Sequence, residues 1–167
     1  MKTYILTFVL AITSASSALA SSNELYAKEH DKEAYCLAQN VYYEARSSNL
    51  ADMAAVADVV LNRVNDTRYP NTVCDVVHDG PKLKNGVPKK NSCQFSWYCD
   101  GKSDKPENLD AWIKAQQIAY MMLYLDQFRG ITEGATHYHA TYVSPKWASS
   151  LQLVGRIGDH IYYRWAK

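Results

Sequence analysis

The chain has 167 residues, with 18 basic and 17 acidic side chains and a formal net charge of +1. Its length suits one domain with one core. The balanced charge excludes the broad basic face of a nucleic-acid binder, and past the first twenty residues no stretch is apolar enough to span a bilayer.

In chain order, the first twenty residues read as a secretory signal peptide. Lys2 supplies the positive end, Tyr4 to Ile12 the apolar run, and Ala18-Leu19-Ala20 a small-residue cleavage site. The mature chain is then expected to begin near Ser21, with a lead-in over 21–32 and a single domain over 33–167. Its expected location is outside the cytoplasm, periplasmic or extracellular. Four cysteines follow, Cys36, Cys74, Cys93 and Cys99. An even count in an exported chain implies two disulfides, with three connectivities open. Separations of 38, 19 and 6 residues lack the closely spaced pairs of a four-cysteine zinc site. The favoured pairs are Cys74–Cys93, closing a basic loop, and Cys36–Cys99.

Asp31 is an N-cap candidate before "KEAYCLAQNVYYEAR", where Leu37, Val41 and Glu44 fall on one face, so a helix is expected to end near Arg46. "ADMAAVADVVLNRV" repeats Met53, Val56, Ala57, Val60, Leu61 and Val64 at helical spacing, a second helix that stops before Tyr69-Pro70. Residues 71–106 read as loop, including "GPKLKNGVPKKNSC" with Lys82, Lys84, Lys89 and Lys90, a solvated stretch or an anion contact. A third helix is expected from about Pro106 to Phe128. "ATHYHATYV" then alternates with period two, and "LQLVGRIGDHIYYRW" reads as a hairpin turning at Gly158-Asp159. The sum is an α+β fold, a helical core with a small antiparallel sheet toward the C-terminus.

Glu44 stands on or beside the core face near a helix C-terminus. Burial and the negative helix end both raise a carboxyl pKa, as a general acid requires. Periodicity alone favours a plainer reading, a glutamate turned to water or paired with Arg46. His137 and His139, two apart in a strand, project to one side. With His160 or Asp159 they offer a zinc site, or they pack and hydrogen-bond. "CQFSWYCDG" sets Gln94 and Ser96 among aromatic rings, which suits a carbohydrate groove or an ordinary cystine loop. No G-x-S-x-G nucleophile elbow occurs.

Taken together, "CLAQNVYYEAR", "AAVADVVLNRVNDTRYPNTVCDVV", "CQFSWYCDG" and "GATHYHATYVSPKWASSLQLVGRIGDHIYYR" resemble the SleB/CwlJ-type cell-wall hydrolases, from about Glu33 to Arg164. The resemblance implies a lysozyme-like fold, related to lytic transglycosylases and resuscitation-promoting factors, and cleavage of the MurNAc–GlcNAc bond in peptidoglycan glycan strands. It carries the catalytic glutamate onto Glu44 and substrate-binding roles onto Gln94, Phe95, Ser96, His137, Tyr138 and His139. The expectation is no cofactor, no metal, no nucleic-acid partner and a monomer. One departure is Ala45-Arg46-Ser47-Ser48, where the family often has Ala-Arg-Gly-Glu, so a second carboxylate is missing there. Asp52, Asp100 and Asp159 are the other carboxylates to consider. Two alternatives are a zinc-dependent amidase or peptidase built on His137, His139 and His160, and a non-catalytic wall-binding module.

Overall fold

The computed structural model describes residues 31–166. The expected signal peptide and nearly all of the lead-in lie outside the described residues. Helix α1 spans Lys32–Ala45, capped by the Asp31 carboxylate, which accepts from Ala34 N at 3.1 Å. Helix α2 spans Leu50–Val64, capped by Asn49, which accepts from Asp52 N at 2.9 Å. Each cap satisfies a first-turn N–H that would otherwise lack a partner. Both helices match their expected bounds to within a residue or so. Helix α2 is buried along nearly its whole length. Ala54, Ala55 and Ala57 are fully buried, and such small side chains let neighbouring backbones come close.

Two helical elements differ from expectation. A short helix α3, Val73–Val77, lies inside the stretch read as loop, capped by Thr72. Five residues are too few to establish a helical period. Helix α4 spans Leu109–Tyr124, shorter than expected at both ends. Asn108 caps it by accepting from Ala111 N at 2.9 Å, so Pro106 stays outside the first turn. The buried Tyr42 hydroxyl fixes this approach by accepting from Glu107 N and Asn108 N at 3.2 and 3.1 Å. At the far end, Asp126 and Phe128 take left-handed backbone angles and end the helix.

The disulfides are Cys36–Cys74 and Cys93–Cys99, not the expected pairs. The unforeseen helix α3 explains the first. It packs against α1 and sets the Cα atoms of Cys36 and Cys74 at 5.2 Å, within bridging range. Cys93 and Cys99 instead close a loop around a 3-10 turn at Ser96–Cys99. The basic loop is held by its own backbone, with Lys89 N donating to Pro81 O and Leu83 N to Val87 O, each at 2.8 Å.

Strands β1 (His137–Ala140), β2 (Gln152–Ile157) and β3 (His160–Arg164) form an antiparallel sheet in the order β1-β3-β2. β1 is shorter than the expected 135–143, and the hairpin turns at Gly158-Asp159 as expected. Gly158 has φ +57°, and a Cβ there would lie 2.6 Å from Asp52 Cβ, so no larger side chain fits.

Two fully buried aspartates on α2 fasten this sheet and the loop before it. Asp52 accepts from the Tyr162 hydroxyl at 2.8 Å and from Asp159 N at 3.1 Å, and lies 2.9 Å from His160 Nδ1. Asp58 pairs with Arg129 and accepts from Gly130 N, Thr132 N and the Thr132 hydroxyl. Beside them Ala55 and Val59 pack on Ala135 and Tyr162. The spacing of Asp52, Ala55 and Val59 puts anchor and apolar contact on one face of α2. This docking delivers β1 to the last turn of α1.

Candidate active site

Glu44 sits in the last turn of α1, one turn after the fully buried Asn40. The Tyr138 hydroxyl, from β1, donates to Glu44 Oε2 at 3.1 Å. Among the described residues no cation forms an ion pair with this carboxyl. Arg46, the partner that the plainer reading required, donates to the Tyr42 hydroxyl at 3.2 Å and lies over the Tyr42 ring.

Burial holds the Glu44 carboxyl above its ordinary pKa. The Tyr138 hydrogen bond and the charges of His160 and Arg63 pull it partway back. Tyr138 is pushed far up by burial and by the Glu44 charge beside it, so it remains a donor. A carboxyl that holds its proton more tightly than usual, beside a donor that can receive the carboxylate once the proton leaves, is suited to general acid and then general base work.

Register decides which sequence-predicted residues reach this carboxyl. Tyr138 pairs with Tyr162 and Ala140 with His160, so these four share one face of the sheet. His137 and His139 share the other, where their ring centroids lie 5.5 and 5.7 Å from Trp147. Of the HYHA segment only Tyr138 reaches Glu44. His139 is engaged at both nitrogens. Nδ1 lies 2.9 Å from Ala140 O, and Nε2 lies 3.0 Å from the Tyr163 hydroxyl. A carbonyl only accepts, so Nδ1 carries a proton. Burial, with Arg63 and Arg68 nearby, lowers His137 to about 4, leaving it neutral. His160 lies on the opposite face with Nδ1 held by Asp52, so the three histidines of the zinc alternative do not converge.

Gln94 and Ser96 are exposed, whereas Phe95 turns inward and is 3% exposed. Phe95 therefore packs in the core, beneath the Arg63 guanidinium at 5.2 Å, in place of the groove position expected for it. Trp97, also buried, donates from Nε1 to Asn40 Oδ1 at 3.2 Å and stacks on Tyr43. The segment thus underpins α1 with its aromatic residues and exposes its polar ones.

The other carboxylates are spoken for. Burial alone would raise Asp52, but hydrogen bonds from His160, Tyr162 and Asp159 N hold it below its ordinary value. Asp100 accepts from Lys102 N at 2.7 Å within an exposed turn. Asp159 lies at the hairpin turn near the Ser48 hydroxyl. A separate cavity of about 330 Å³, bordered by Asn49, Met53, Lys114 and Ile118, has none of the Glu44 cluster in its lining.

Arg63 escaped the sequence reading. It falls seven residues after Val56 on the buried stripe of α2, and a charge at a core position was the available signal.

The sequence profile of the cell wall hydrolase family matches residues 47–163, beginning just after Glu44. The chain is also similar to two solved structures. One is the catalytic domain of the germination-specific lytic transglycosylase SleB from Bacillus anthracis, 25% identical, TM-score 0.57, covering 79% of this chain and 93% of that one. The other is the catalytic domain of the Bacillus cereus SleB protein, also 25% identical, TM-score 0.55, covering 79% and 90%. A search of curated proteins returns no match. With a lysozyme-like helical core, a small three-stranded sheet toward the C-terminus and a profile match over most of its length, the chain belongs to the cell wall hydrolase family.

Proposed function

We propose that this protein cleaves the MurNAc–GlcNAc bond of peptidoglycan as a lytic transglycosylase, with Glu44 as acid and then base. The protonated carboxyl gives its proton to the glycosidic oxygen as the C1–O bond breaks and the GlcNAc 4-hydroxyl leaves. The resulting carboxylate takes the proton of the MurNAc 6-hydroxyl as that oxygen bonds C1, closing a 1,6-anhydro ring. The proton is back on Glu44 at the end, and no water is consumed. Ordinary glycoside hydrolysis places a second carboxylate across the bond, whereas this route works with one.

The observation that carries the reading is Glu44 itself, held above its ordinary pKa by burial and hydrogen-bonded by Tyr138. The engagement of Asp52, Asp100 and Asp159 elsewhere supports the single-carboxylate route. Gln94 and Ser96, exposed on either side of the inward Phe95, are proposed to bind sugar hydroxyl and acetamido groups. His137 and His139 line the neighbouring aromatic face. Two disulfides favour action outside the cytoplasm, and among the described residues no helix is long and apolar enough to cross a membrane. The test is Glu44→Gln on purified sacculi. Muropeptide release should fall by about 10³-fold or more. Release at the wild-type rate by the folded variant would sink the assignment.

A further inference from the structure

Arg63 is buried, with 6% exposure, yet among the described residues no carboxylate lies within ion-pairing distance. A guanidinium cannot relieve this by losing its proton, and burying an unpaired charge is expensive. Its Nε donates to Thr136 O at 2.8 Å, two residues before Tyr138. Its Cζ lies over the Tyr69 and Phe95 rings, 5.4 and 5.2 Å from their centroids. Its Nη1 is one of two buried side-chain polar atoms without a hydrogen-bond partner among the described residues. The other is Asn40 Nδ2, one helical turn before Glu44. A charge kept at this cost, bonded from α2 to the segment that carries Tyr138, calls for a function.

We propose that Arg63 is a positioning residue for Glu44, aiming β1 through Thr136 so that Tyr138 meets the carboxyl, and supplying a fixed positive charge that favours the carboxylate once its proton has gone. The two roles act on one step. Proton donation turns a neutral acid into an anion in a poorly solvated place, and preorganised dipoles and charges stabilise charge that develops there. Burial raises Glu44 and the field of Arg63 restrains that rise. The acid therefore holds its proton to a higher pH than an ordinary glutamate and is still able to give it up. Tyr138 and His160 also face Glu44, while Tyr69, Asp79, Tyr138 and Glu44 act on Arg63, and His137 lies within its field. The Arg63 guanidinium holds its charge at every working pH.

The proposal rests on Glu44 being the acid of the reaction above, and two readouts keep the ideas apart. One is the pH profile of muropeptide release. The other is the titration of the Glu44 carboxyl carbon by NMR, which needs no substrate. In Arg63→Met the Glu44 titration and the alkaline limb of the profile should both move up by about half a unit or more. Release should also fall at least about tenfold. In Arg63→Lys the charge stays while the planar bond to Thr136 is lost. The limb should then hold its place and kcat should still fall, with unchanged near-ultraviolet circular dichroism. A folded Arg63→Met whose Glu44 titrates as in wild type would overturn the electrostatic role. Should Arg63→Met not fold, Arg63→Lys decides, since wild-type kcat in that variant would overturn the positioning role. If wild-type protein releases nothing from sacculi, the functional reading fails while the NMR shift still tests Arg63.

Discussion

The Tyr138 hydroxyl and the Glu44 carboxyl meet at 3.1 Å although 94 residues separate them. Glu44 arrives on a helix whose turn spacing sends it toward the core. Tyr138 arrives on a strand whose register with Tyr162 turns it the same way. Burial favours the acid and the hydrogen bond favours the carboxylate, so the pair divides the two halves of a proton cycle.

Removing the hydroxyl alone separates these effects. In Tyr138→Phe the ring contacts with His160 and Tyr162 persist, while Glu44 loses a donor to its charged form. Such bonds contribute about 1.5–3 kcal/mol. Release should fall roughly 10- to 100-fold, and the alkaline limb of the pH profile should move upward. A downward shift or none would contradict the role given to Tyr138.

The raised pKa of Glu44 also has a stability consequence. A carboxyl whose folded value exceeds its unfolded one contributes stability below the unfolded value, lost as pH rises through the folded value. At neutral pH and above, wild-type protein thus carries a cost that Glu44→Gln removes. Thermal melts should show Glu44→Gln more stable at pH 8, by roughly 2–4 °C per kcal/mol recovered. The difference should shrink toward pH 4. A Glu44→Gln protein less stable than wild type at pH 8 would argue that the carboxyl is not held in this way.

Asp52 has the opposite sign. Its folded value is depressed, so its contribution is present above the unfolded value and lost as pH falls through the folded one. Asp52→Ala leaves His160 Nδ1, the Tyr162 hydroxyl and Asp159 N without their shared acceptor. A loss of about 3 kcal/mol or more is expected at pH 7, measurable by urea unfolding. The deficit should narrow in acid. A loss below about 1 kcal/mol would mean that the hairpin is held by apolar contacts alone.

Much of this architecture was legible in the chain. Asp31 and the apolar stripe marked α1, the repeated apolar spacing marked α2, and Gly158-Asp159 marked the hairpin, because each signal is local. What stayed hidden depends on neighbours distant in sequence. Cys36 meets Cys74 only because the short helix α3 folds against α1. Phe95 turns inward because Arg63 and the core receive it. Asp52 reads as an ordinary first-turn acid until the hairpin closes over it. Glu44 could be suspected from its helix face, but its meaning came from Tyr138, whose approach is set by sheet register.

The chemical form of the cut end distinguishes the single-carboxylate route from ordinary hydrolysis. Wild-type protein incubated with purified sacculi should release muropeptides one water lighter than their reducing counterparts, as 1,6-anhydro ends, when the products are weighed by mass spectrometry. Glu44→Gln should release neither form. Reducing MurNAc ends from the wild-type protein would contradict the single-carboxylate route and require a water-activating group that the Glu44 cluster does not display.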